Sequence, residues 1–118
     1  MLLKTSSRIY GDAFILDCHG RITFGEETAL LRQQVYELLQ QSRNVVLNLS
    51  NVSFIDSSGV GELVRMLTTA TRDQKTIVLA GLTGRVRDVL QITKLATVFV
   101  TYSTAVEAAQ ALSGGLEE

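Results

Sequence analysis

The chain has 118 residues, 46% apolar and 19% charged, with a net charge of −1. That balance fits one globular domain with a core of its own and excludes a global electrostatic footprint for nucleic acid or acidic membranes. No apolar run reaches the roughly 18 residues a membrane helix needs. Met1-Leu2-Leu3-Lys4 lacks a signal-peptide core. The single Cys18 forms no internal disulfide, so a cytoplasmic location is expected.

Leu2 to Ile9 is the first strand candidate, and Tyr10-Gly11-Asp12-Ala13 reads as a hairpin turn. Phe14, Leu16 and Cys18 alternate with Ile15, Asp17 and His19, which gives a second strand ended by Gly20. Thr23-Phe24-Gly25-Glu26 has the form of a capping box, with Thr23 as N-cap and Glu26 at N3. The helix it opens runs to Gln41, with Leu31, Val35, Leu38 and Leu39 on one face. Val45-Val46-Leu47-Asn48-Leu49 is a nearly continuous apolar run, as expected of a strand buried on both faces.

Val60, Leu63, Val64 and Leu67 then form the stripe of an amphipathic helix that ends at Asp73-Gln74-Lys75. Thr76 to Ala80 is a further buried strand, closed by Gly81. Thr83 caps a short helix carrying Val86, Val89 and Leu90. Val98-Phe99-Val100 is the last strand candidate. Thr104 and Glu107 form another capping box, before a helix with Ala105, Ala108, Ala109 and Leu112 inward. Gly114 and Gly115 release the chain, so residues 1–113 are expected to form the domain and 114–118 a disordered tail. The order β-β-α-β-α-β-α-β-α implies an α/β fold with a small, mixed, mostly parallel sheet and helices packed against it.

Little in the sequence supports catalysis by the chain itself. No nucleophile-elbow pattern surrounds Ser57 or Ser58, and His19 is the only histidine. One Cys and one His cannot build a structural zinc site. Gly59 and Gly61 begin no nucleotide-binding motif and read as residues that permit tight packing of a helix start. Cys18 reads as a small core residue, and Phe54 and Ile55 as core anchors. No cofactor and no enzymatic activity are expected.

What remains is Phe54-Ile55-Asp56-Ser57-Ser58-Gly59, at a loop-to-helix junction. A helix start presents free N–H groups and a positive dipole end. Ser57 suits the N-cap there, and the same place tolerates a phosphate. Asp56 reads either as a loop carboxylate bonding nearby N–H groups or as a contact residue.

Ile55-Asp56-Ser57-Ser58-Gly59-Val60-Gly61, with the strand before it, resembles the signature of STAS domains, in particular bacterial anti-sigma factor antagonists. The resemblance covers residues 8 to 112. It implies that Ser57 is a phosphoacceptor, with Ser58 the neighbouring alternative. It implies that the unmodified form binds an anti-sigma factor, itself a serine kinase, and so frees a sigma factor. A serine phosphatase would reset the switch. Asp56, Ser57, Ser58, Gly59, Gly61, Arg21 and Thr23 would form the partner surface. One departure stands out: Gly20-Arg21-Ile22-Thr23 carries Thr23 where many members have an acid, and Arg21 adds a positive charge. The alternative is a STAS scaffold subunit of a stress-signalling or lipid-transport complex.

Overall fold

The computed structural model describes residues 3–42 and 44–114. Strands β1 (Leu3–Tyr10) and β2 (Ala13–Ile22) form an antiparallel hairpin. Its tight turn places Gly11 at φ 60, a left-handed conformation that glycine adopts without steric cost. Helix α1 (Glu26–Gln41), β3 (Asn44–Ile55), α2 (Ser57–Arg72), β4 (Thr76–Ala80), α3 (Gly84–Ile92), β5 (Thr101–Tyr102) and α4 (Ala105–Gly114) follow. The sheet order is β1-β2-β3-β4-β5, and every pairing after the hairpin is parallel. Each parallel step requires a crossover, which the helices supply. The expected mixed, mostly parallel α/β architecture is therefore the observed one.

β3 explains why its sequence reads as a continuous apolar run. Val45, Leu47 and Leu49 enter one core with Leu31 and Val35 of α1, Leu63 and Met66 of α2, and Val86 and Leu90 of α3. Val46 points the other way, into a smaller core with Ile15, Val78 and the alanines 105, 108 and 109 of α4. The small side chains let α4 lie close to the sheet. Arg32 of α1 reaches both carboxylate oxygens of Glu62 on α2 at 2.8 Å, tying those helices together. Among the described residues, no helix is long and apolar enough to cross a membrane.

Several boundaries differ from expectation. β2 continues past Gly20 to Ile22, and β3 past Leu49 to Ile55. Both extensions are held by their pairing, Gly20↔Val52 and Ile22↔Ile55. Because β2 runs on, Thr23 does not cap α1. The cap position is Gly25, without a side-chain bond, and the Thr23 carbonyl accepts the Thr28 hydroxyl instead. The last strand is Thr101–Tyr102 rather than Val98–Val100, although the Val100 carbonyl accepts the Leu79 N–H at 3.0 Å. α4 includes Gly114, and the remainder of the expected tail lies outside the described residues. The caps Thr83 and Thr104 are found where the sequence places them.

Beyond the area covered by α4, the sheet carries polar side chains. Asp17 and Asn48 are register partners, and the Asn48 amide donates to Asp17 Oδ1 at 2.7 Å. Arg8 Nε donates to Asp17 Oδ2 at 2.8 Å. Partial burial pushes the Asp17 pKa up, but the bonds from Arg8 and Asn48 and the Arg8 charge outweigh it and hold the pKa below the ordinary value. A folded pKa below the unfolded one stabilises above the ordinary carboxylate range, and this stabilisation is lost as pH falls through the depressed value. Asp17→Asn should therefore lower stability near neutral pH by about 1 kcal/mol. Thermal melts across pH should show the gap to wild type closing in acid; a constant gap would contradict this role.

Candidate functional site

The site is built where β2 and β3 end and α2 begins. Ile22 and Ile55 are register partners and both are buried. The Ile22 carbonyl accepts the Asp56 N–H at 3.3 Å. Asp56, in extended conformation, is the N-cap: its Oδ1 accepts the Gly59 N–H at 2.8 Å and its carbonyl accepts the Val60 N–H at 2.9 Å. The cap is thus Asp56 and not Ser57, as the position of a short acceptor side chain one residue earlier allows. Ser57 becomes the first residue of the helix and Ser58 the second.

Gly59 is buried beneath this turn. A Cβ there would stand 2.2 Å from the Ile22 carbonyl oxygen and 2.8 Å from Ile55 Cγ1. The helix start therefore lies on the strand ends at a distance only glycine permits. Gly61 behaves differently from expectation: it is exposed, and a Cβ there would meet nothing within 4 Å. It contributes no tight packing. Instead it leaves the outer face of α2 flat beside Ser57 and Ser58.

Ser57 and Ser58 are both exposed. Neither hydroxyl bonds to another described residue, so among the described residues no His or carboxylate is hydrogen-bonded to either as an activating base. His19 lies on β2 opposite Asn51, also exposed. Cys18 is buried, and desolvation, with the neighbouring Asp17 charge, pushes its pKa up to about 12. It stays a protonated thiol in the core. Among the described residues, no group of three or more His, Cys, Asp or Glu could hold a metal ion.

Arg21 and Phe54 are register partners at the strand ends, and the Arg21 guanidinium lies 4.8 Å from the Phe54 ring centroid. Arg85, in the first turn of α3, lies 5.6 Å from the same ring. Phe54 is half-buried rather than a core anchor; Ile55 alone takes that role. Sequence reasoning missed Arg85 because only the fold brings it to Phe54. Thr23 is half-buried next to this group, with its carbonyl engaged by Thr28.

The model of the STAS domain family matches residues 4–108. This chain belongs to the STAS domain family. Its structure is similar to that of the anti-sigma factor antagonist SpoIIAA in its unphosphorylated form, with a TM-score of 0.78 at 19% identity over 94% of this chain and 97% of that one. The Bacillus cell fate determinant SpoIIAA in its phosphorylated form matches with a TM-score of 0.69 at 18% identity over 92% and 99%. An anti-sigma factor antagonist from Mycobacterium paratuberculosis gives 0.78 at 18% identity over 95% and 94%. A sulfate transporter family protein from Wolinella succinogenes gives 0.70 at 16% identity over 90% and 88%. At these identities the likeness is one of fold, and the STAS fold is shared by antagonists and a transporter family protein.

The two STAS-signature glycines should separate cleanly. Gly59→Ala should cost about 1–3 kcal/mol or more, because backbone must move to admit the methyl group. Gly61→Ala should be neutral or stabilising by up to about 1 kcal/mol, since a helical glycine with open space around it gains from a methyl group. Asp56→Ala should cost about 0.5–2 kcal/mol through the lost cap. Urea unfolding of the three variants measures all of this; equal effects at 59 and 61 would contradict the packing described.

Proposed function

We propose that this STAS domain is a regulatory binding protein switched by phosphorylation at Ser57. Its unmodified form binds an anti-sigma factor that is a serine kinase, and a sigma factor is thereby released. The kinase phosphorylates Ser57, with Ser58 as the second acceptor, and the complex separates. A serine phosphatase restores the hydroxyl. The observation that carries this reading is the exposed, unbonded Ser57 hydroxyl directly after Asp56, whose carboxylate is occupied in holding the helix start.

The chain supplies an acceptor and a surface; Mg-ATP and the catalytic base belong to the kinase. The Ser57 oxygen forms the new bond to the γ-phosphorus, the bond to the ADP oxygen breaks, and the hydroxyl proton goes to the kinase. The product carries roughly −1.5 to −2 charges. Beyond the capping Asp56, whose Oδ1 is bonded to the Gly59 N–H, the first turn of α2 contains no acidic residue, and the positive dipole end of the helix favours a phosphoryl group there. A partner surface shaped for a neutral hydroxyl loses contact through repulsion and desolvation. Ser58 and Gly61 extend the contact face, Asp56 and Gly59 hold it in place, and Arg21 and Thr23 border it. The description of SpoIIAA in both unphosphorylated and phosphorylated forms supports a fold that tolerates both states.

Incubation with the cognate kinase and ATP, followed by phosphosite mapping, should place phosphate on Ser57. Ser57→Ala should bind the kinase constitutively and change stability by less than about 0.5 kcal/mol, since the cap is Asp56. Ser57→Asp should weaken binding. Absence of phosphate on Ser57 and Ser58, or equal affinity of wild type and Ser57→Asp, would overturn the switch. A binding partner without kinase activity would favour the scaffold role.

A further inference from the structure

Phe54, Arg21 and Arg85 form a surface group that the switch itself does not require. The two guanidinium groups approach the same ring, at 4.8 and 5.6 Å from its centroid. Phe54, Arg21 and Arg85 come from three separate elements, the ends of β3 and β2 and the start of α3. Neither arginine forms an ion pair with a described residue, nor does Arg87 on the same helix as Arg85, whereas Arg8, Arg32, Arg65 and Arg72 each have a carboxylate within 4 Å; among the described arginines, only Arg21 and Arg85 lie against an aromatic ring. Both arginines are exposed. A ring face attracts and orders a guanidinium while leaving its N–H donors free for a carboxylate. Three residues beyond Arg21, Phe24 is 86% exposed, the highest value among the exposed large apolar side chains. It shares a shallow groove with Arg21, Thr23, Glu26 and Glu27, so the cationic side of the patch is the one at Arg21 and Arg85.

We propose that this group is a docking patch for an acidic protein surface: a partner whose contact residues are carboxylates beside an apolar side chain. The carboxylates would pair with the free donors of Arg21 and Arg85, and the apolar side chain would cover Phe24. This rests on the reading of the Ser57 face as the partner-binding face, because Phe54 stands two residues before the cap Asp56. It adds a charge requirement: the partner is acidic where it meets the ends of β2 and β3. Ordered, unpaired arginines beside a hydrophobic residue are the composition that binding hot spots favour, and complementary charge fixes partner choice and encounter rate.

The test uses the whole chain, labelled for NMR, with a hexaglutamate peptide as the probe. At low salt, amide shifts should concentrate at residues 21–24, 54 and 84–87, and should vanish in Arg21→Gln/Arg85→Gln. Shifts spread evenly over all exposed arginines, or unchanged in the double variant, would overturn the proposal. A response to oligothymidylate at these residues with none to hexaglutamate would assign the patch to nucleic acid and overturn it as well. With the phosphorylating kinase as partner, Arg21→Glu/Arg85→Glu should reduce affinity at least about tenfold, and more at low salt. Loss of binding in Ser57→Asp with full binding in the arginine variant would leave the switch standing and remove the acidic-partner requirement. Melting curves of the arginine variants should match wild type, which separates lost binding from lost folding.

Discussion

The carbonyl of Ile22 is the contact on which the geometry of the α2 start depends. It ends β2, receives the Asp56 N–H, and lies so close to Gly59 that no side chain fits between them. Asp56 closes the same turn from the other side by capping Gly59. A helix start fixed from below in this way has little freedom to move. Its two serines are consequently held outward, on a rigid platform rather than a loop. Rigid presentation suits the proposed switch, because ordering a loose segment on binding would cost affinity.

The larger fold serves that placement. β2 and β3 run parallel and pair through Ile22 and Ile55, which brings the β2 end beside the α2 start. The three-helix core on one face and the alanine-lined contact of α4 on the other anchor β3 from both sides. The Arg32–Glu62 pair holds α1 against α2 just below the serines. At the far side of the strand ends, Phe54 collects Arg21 and Arg85. Ser57, Ser58 and Gly61 are thus exposed at the α2 start, while Arg21 and Arg85 gather on Phe54 at the strand ends.

Much of this was legible in the sequence because it is local. Alternating or continuous apolar runs revealed the strands, and the 3.6-residue stripes revealed the helices. Thr83 and Thr104 were legible as caps because the helix beyond each begins at once. Thr23 misled for the opposite reason: a long-range pairing drew β2 onward to Ile22 and displaced the helix start to Glu26. Asp and Ser are both good caps, so Asp56-Ser57 could not be resolved until the backbone was known. The two signature glycines look alike in one dimension, yet one is pressed against a carbonyl and the other faces open space. β5 is only two residues long, too short for any periodicity to mark. The Arg85–Phe54 contact joins residues with no sequence relation at all.

The central claim is that Ser57 can gain and lose a charged group while the domain beneath it stays as it is. The most direct measurement is the amide NMR spectrum of the chain before and after phosphorylation by its kinase. Shifts confined to residues 56–61, the segment after Ile22 and the first turn of α3 are predicted, with the core amides of β3 and β4 unmoved. Widespread shifts through those strands, or phosphate carried on a residue away from the α2 start, would contradict the account.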